Sequence, residues 1–189
     1  ARRMPSGGGG DGRRQVAPKL LEEVYNHGSF LQSRMYAKGV RCTDCHEPHT
    51  ARLRLEGNLV CQRCHQESPP PQFDTLKPKA YDTKAHHFHE PGTPGSRCVD
   101  CHMAAVTYMV VDPRHDHGFR VPRPDLTAKL GIPNACNGCH KDKTAEWAAE
   151  TVDRWYPRES PRPPHFAEAL SLGRAGDPAA VPALRQLLL

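Results

Sequence analysis

Four times in 189 residues two cysteines stand three positions apart with a histidine directly after the second. The copies are Cys42-Thr-Asp-Cys45-His46, Cys61-Gln-Arg-Cys64-His65, Cys98-Val-Asp-Cys101-His102 and Cys136-Asn-Gly-Cys139-His140, and they use all eight cysteines. Two thiols at this spacing add to the two vinyl groups of a haem, and the adjacent imidazole reaches the iron from one face. That is the c-type attachment chemistry. With twelve histidines in the chain, accident would supply one to all four pairs roughly once in sixty thousand trials. The expected cofactors are four covalently attached haem c groups.

Other cysteine chemistries explain less. Disulfides suit an exported protein but leave the trailing histidines without a reason. Fifteen residues separate Cys45 from Cys61, as in a zinc ribbon, but thirty-four separate Cys101 from Cys136, which does not fit that site. A thioredoxin-like redox pair needs one motif, not four.

His46, His65, His102 and His140 are the proximal candidates. His27, His49, His86, His87, His89, His115, His117 and His165 remain for four sixth positions. The four methionines, Met4, Met35, Met103 and Met109, are thioether alternatives that so large a histidine pool makes unnecessary. In Arg41–Thr50, RCTDCHEPHT, His49 follows His46 across a Glu-Pro link too short and stiff to reach the other face of the same iron. His49 is therefore expected to cap a neighbouring haem. His27 sits where a helix over 18–26 should meet a second over 29–38 closed by Gly39, and is expected to project onto the first haem. In AHHFHEPG, His86, His87 and His89 crowd one loop; one or two should ligate, His87 first among them, the remainder meeting propionates. His115 and His117 alternate along an extended chain and so point the same way. His117 is preferred because Gly118 lets the backbone approach closely. His165 reads as a helix-surface residue.

The elements that must position these groups are short. Hydrophobic residues make up 37% of the chain and aromatics 6%, mean hydropathy is −0.70, and there are 19 prolines and 15 glycines. So little apolar material forms an ordinary core poorly, whereas four large flat haems would serve as covalent staples. The expected class is mainly α with much irregular loop, organised around stacked haems, with little or no β-sheet. Residues 1–17 read as a glycine-rich basic tail, 18–160 as the tetrahaem domain, and 161–189 as the start of a helical repeat. In that last segment Asp177 should N-cap and Pro178 open the second helix. One repeat leaves its own apolar face bare, so the chain is expected to continue past Leu189 or to dock there. The formal charge is +5, but the basic residues are scattered, with no stripe for nucleic acid. Two propionates on each oxidised haem would bring the charge to roughly +1. No apolar run approaches the roughly 18 residues that span a bilayer, and Ala1 does not open a signal peptide, so an exported chain would already have lost its leader.

The segments HGSFLQSRMYAKGVRCTDCHEPH, HHFHEPGTPGSRCVDCHM, DPRHDHGFRVPRPDL and GIPNACNGCHKDKTAEWAA together resemble the tetrahaem head of bacterial exported multihaem c-type cytochromes. Such heads are often joined to tetratricopeptide or HEAT-like repeats, and they are distantly similar to the haem cores of nitrite reductases and hydroxylamine oxidoreductases. The resemblance covers about residues 20–158. It implies bis-histidine haems in alternating parallel and T-shaped pairs, an irregular helical fold, and electron transfer outside the cytoplasm. It also implies His27, His49, one of the HHFH histidines and His117 as distal ligands. The lysine-ligated open haem of the nitrite reductases has no counterpart, since all four motifs end in histidine. The expectation is thus an electron carrier and not an enzyme, in the periplasm, at the cell surface or beyond. Its partners would be redox proteins or further copies of itself in a cytochrome filament. The alternative is a haem enzyme acting on a small nitrogen or sulfur oxyanion at one open iron.

Overall fold

The computed structural model describes residues 26–108 and 110–187. The 1–17 tail with Met4, most of the helix expected over 18–26, Met109, Leu188 and Leu189 lie outside them.

Proline and glycine punctuate the chain so often that few helices exceed two turns. In chain order they are α1 (Asn26–Leu31), α2 (Arg34–Ala37), α3 (Cys42–Cys45), α4 (Leu59–Gln62), α5 (Lys84–His87) and α6 (Cys98–His102). After a hairpin come α7 (Pro124–Leu130), α8 (Ala135–Cys139), α9 (Ala145–Trp155), α10 (Phe166–Arg174) and α11 (Ala180–Gln186). The hairpin pairs β1 (Ala105–Tyr108) antiparallel to β2 (Asp112–His115), with Ala105 opposite His115. A mainly helical, loop-rich fold with one small sheet is what the composition foretold. No described helix is long and apolar enough to cross a membrane.

The helix expected over 29–38 is two helices. Ser33 breaks it: its side chain accepts from the Tyr36 N–H at 3.1 Å, as an N-cap does, an option open to serine and closed to most residues. His27 consequently lies inside α1 and not at a junction. Gly39, at φ +88°, closes α2 in the left-handed region as glycine readily does. Near the chain's end α11 starts at Ala180 and not Pro178, with Ala179 and not Asp177 as its N-cap; the Asp177 carboxylate instead accepts from the Ala179 N–H at 2.8 Å in the turn before it.

Seven apolar residues are buried among those described, and four are alanines. Side-chain hydrocarbon therefore supplies only a thin core. It lies toward the C-terminal end, where Leu126, Ile132 and Ala167 meet with Leu130 and Phe166 packed on them. This cluster fixes α7 and α10 together. The rest of the chain is tied by side chains reaching across long sequence separations.

Candidate haem-binding centre

A single helical turn presents residues i and i+3 on one face. That turn is what each cysteine pair adopts, in α3, α6 and α8, with Cys61 in α4 and Cys64 just past it. Helices of four or five residues cannot persist alone, so each turn is held from outside. Asp44 accepts from the Arg41 N–H at 2.6 Å and Asn134 from the Asn137 N–H at 3.0 Å, capping α3 and α8. The Arg63 guanidinium donates to the Asp44 carbonyl, joining the first two motifs. Asn58 joins the second to the third: its amide accepts from the Cys98 N–H at 2.9 Å and donates to the Ser96 carbonyl at 3.0 Å and Asp82 at 2.8 Å.

All eight thiols are free. Burial pushes Cys45, Cys64 and Cys136 up and takes Cys101 to about 11. Cys61 donates its S–H to Cys98, which raises the first and lowers the second. Burial thus favours the neutral thiol at most of these positions. Among the described residues no three His, Cys, Asp or Glu side chains converge to hold a metal ion. Neighbouring motifs approach in chain order. Cys45 lies near Cys64, Cys61 touches Cys98, and Cys101 lies near Cys136 and Cys139.

Three proximal histidines face a second imidazole. Ring centres are 6.2 Å apart for His46 and His117, 6.3 Å for His102 and His86, and 6.2 Å for His140 and His89. An imidazole nitrogen bonds a metal at about 2 Å, so two rings on opposite sides of one ion have centres about 6 Å apart. The interplanar angles of 31°, 4° and 40° are all compatible, because each ring turns about its own metal–nitrogen axis.

Hydrogen bonds prepare the nitrogens as well. A metal-ligating histidine donates its other N–H, usually to a carbonyl, which fixes the tautomer and frees the remaining lone pair. His46 Nδ1 donates to the Ala51 carbonyl at 2.8 Å, His117 to His115 at 3.0 Å, His102 to Arg120 at 3.0 Å and His89 to His87 at 2.5 Å. Tyr156 spends its O–H on the His86 carbonyl, so its oxygen accepts from His86 Nδ1 at 2.8 Å. Five of these six rings thus keep Nε2 available; His140 lies beside Trp147 at 5.2 Å. Burial lowers the pKa of His117 and His102, and burial with the nearby Lys79 charge holds His86 at about 4. Neutral imidazole is the form that binds metal.

The other candidates fall elsewhere. His65, half-buried and also lowered by burial, meets Tyr81 edge-on at 5.8 Å and faces no histidine among the described residues. His49 is exposed on the turn after α3, its N–H bonded to Glu47 at 2.9 Å. His27 is exposed on α1, and the face of the first motif that it was expected to cover is taken by His117. His87 was the preferred member of HHFH, but its Nδ1 accepts from the His89 N–H at 3.2 Å. The hydrogen therefore sits on Nε2, making that atom a donor, and it is His86 and His89 that face proximal histidines. His115, exposed, donates to the Met103 carbonyl at 2.6 Å. His165 is not a helix-surface residue but the N-cap of α10, its Nδ1 accepting from the Ala167 N–H at 3.2 Å.

Phe88 explains the HHFH result. It adopts φ +57° and ends α5, so that His86 and His89 turn toward different motifs. Its ring stacks on Trp155 at 4.4 Å and 7°. Nothing in a phenylalanine announces a left-handed backbone, and neither Tyr156 nor Asn58 carries a motif that would mark it. The facing imidazole pairs and the neutral i, i+3 thiols fit haem.

The family described as "Doubled CXXCH motif" matches residues 35–69, which hold the first two attachment motifs. Two further copies of the motif lie downstream, so the chain carries four copies of the attachment pattern that the family doubles. The crystal structure of the outer cell wall cytochrome OcwA aligns with 62% of this chain at 23% identity and a TM-score of 0.41, too loose a likeness to carry an argument. The chain spans only 26% of that structure's length. No curated protein matches.

Proposed function

We propose that this chain carries electrons through four covalent haems outside the cytoplasm. Cys42 and Cys45, Cys61 and Cys64, Cys98 and Cys101, and Cys136 and Cys139 would form the thioethers, and His46, His65, His102 and His140 would be the proximal ligands. His117, His86 and His89 would cap the irons held by His46, His102 and His140. Bound haem supplies a one-electron couple whose potential is set by axial ligand, burial and hydrogen bonding. The chain's part is to keep both axial positions filled, so that little reorganises as charge changes, and to keep neighbouring attachment sites close. The single observation that carries this reading is the set of three facing imidazole pairs at 6.2–6.3 Å.

For His65 the sequence offers His49. What supports it is that the Arg63–Asp44 bond holds the first two motifs together. The partners would be redox proteins or further copies of the chain, the latter forming an extracellular filament. Residues 161–189 would begin a helical repeat through which such assembly extends.

Protein-film voltammetry on the holoprotein tests the proposal. Reversible one-electron waves for every haem, without added current from nitrite or hydroxylamine, are expected; catalytic current with either substrate would contradict it.

A second reading rests on His65 alone, the proximal histidine with no facing imidazole among the described residues. Were its iron open, a small nitrogen or sulfur oxyanion could bind there. Cyanide binding at one haem in four would favour this reading.

A further inference from the structure

Arg120 stands out among the residues that no motif singled out. Its Nε is buried and has no hydrogen-bond partner among the described residues. An arginine keeps its charge in any protein, and leaving such a donor buried and unsatisfied is costly. Nearby carboxylates are engaged. Asp125 accepts from Arg123 at 2.7 Å, Asp116 from the Gly118 N–H at 3.0 Å, and Glu168 from Lys129 at 2.5 Å. The surroundings hold the side chain in place: its guanidinium lies 5.4 Å over the Phe166 ring. A Cβ at Gly118 would come within 3.2 Å of Nε, so glycine leaves room for this course.

The missing acceptor has a natural source. The Arg120 carbonyl accepts from His102 Nδ1 at 3.0 Å, and His102 faces His86. The second buried nitrogen without a partner is His87 Nε2, the residue after His86. Both are N–H donors, one on the residue whose carbonyl holds His102 and the other on the chain neighbour of His86. A bound haem would bring carboxylates of its own, its propionates, as acceptors.

We propose that Arg120 is a haem-binding residue whose Nε–H donates to a propionate of the haem held between His102 and His86. The assignment rests on the tetrahaem reading. A cation there offsets the propionate charge and disfavours oxidised iron, so it raises that haem's potential. The test compares Arg120→Met and Arg120→Lys with the parent holoprotein, measuring haem content by mass, axial ligation by electron paramagnetic resonance, and each haem's potential by titration. We expect Met to lower one potential only, with four haems and low-spin ligation intact, and Lys to restore most of the difference. Unchanged potentials in a fully loaded Met variant would overturn the assignment. A parent lacking four haems would instead overturn the tetrahaem reading. Should the Met variant fail to assemble, a crystal structure of the parent holoprotein decides: Arg120 Nε within hydrogen-bond distance of a propionate oxygen supports the proposal, and a water or protein acceptor there refutes it.

Discussion

The segment from Cys98 to His140 receives both of its facing imidazoles from one short loop, His86 and His89. The segment from Cys42 to His65 receives one from far along the chain, His117, and for His65 none among the described residues. The difference lies in what supports the donor. The loop is clamped: Phe88 stacks on Trp155, and Tyr156 bonds both the ring and the carbonyl of His86. Among the described residues His49 has instead a turn in which Glu47 caps the N–H groups of His49 and Thr50 at 2.9 and 2.8 Å. Preorganisation thus comes from aromatic packing at the end of α9, not from the attachment motif.

The largest effects should separate the loop histidines from their neighbour. His86→Ala and His89→Ala are each expected to convert one low-spin haem to high-spin and raise its potential, while His87→Ala leaves all four spin states unchanged. Electron paramagnetic resonance on the three holoproteins checks this. His49→Ala sharpens the contrast: one further low-spin signal is lost if His49 caps the His65 iron, and nothing changes if that iron is open.

Next in size is the clamp. Trp155 is half-buried, so Trp155→Ala should cost about 1–3 kcal/mol, less than the ~3–5 of a fully buried ring. Chemical denaturation of the holoprotein measures it, and His86 and His89 ligation should loosen while His46 and His117 keep theirs. Tyr156→Phe removes one acceptor and one donor, and should cost about 1 kcal/mol and lower basicity at His86 alone.

The smallest concerns the framework near α7. Burial opposes it, but the hydrogen bonds and charge of Arg123, with Arg162 beyond, hold Asp125 below the usual carboxylate range. A depressed folded pKa stabilises above the unfolded value and is lost as pH falls through the folded one. Asp125→Asn should therefore cost about 0.5–1 kcal/mol at pH 7, allowing for partial exposure. It should match the parent once pH drops below the folded pKa, as urea midpoints along a pH series will show.

The sequence makes the covalent chemistry readable because spacing alone dictates it: i, i+3 cysteines with a trailing histidine need no tertiary information. The closing role of Gly39 was readable for the same local reason. The partners of His102 and His140 were not, since they depend on Phe88 occupying a backbone region that its side chain disfavours. The split of the second helix at Ser33 came from serine competing for a backbone N–H. His165 as a cap, Asn58 as a tie across forty residues to Cys98 and Arg120 as an orphan donor are contacts that only the folded chain creates.

Near-infrared magnetic circular dichroism of the oxidised holoprotein, with haem counted per chain, tests the central claim most directly, because its charge-transfer band distinguishes imidazole–imidazole from imidazole–thioether iron. Four haems are expected, with bis-imidazole intensity from at least the three held by His46, His102 and His140. Intensity for fewer than three, or a dominant imidazole–thioether band, would contradict that claim.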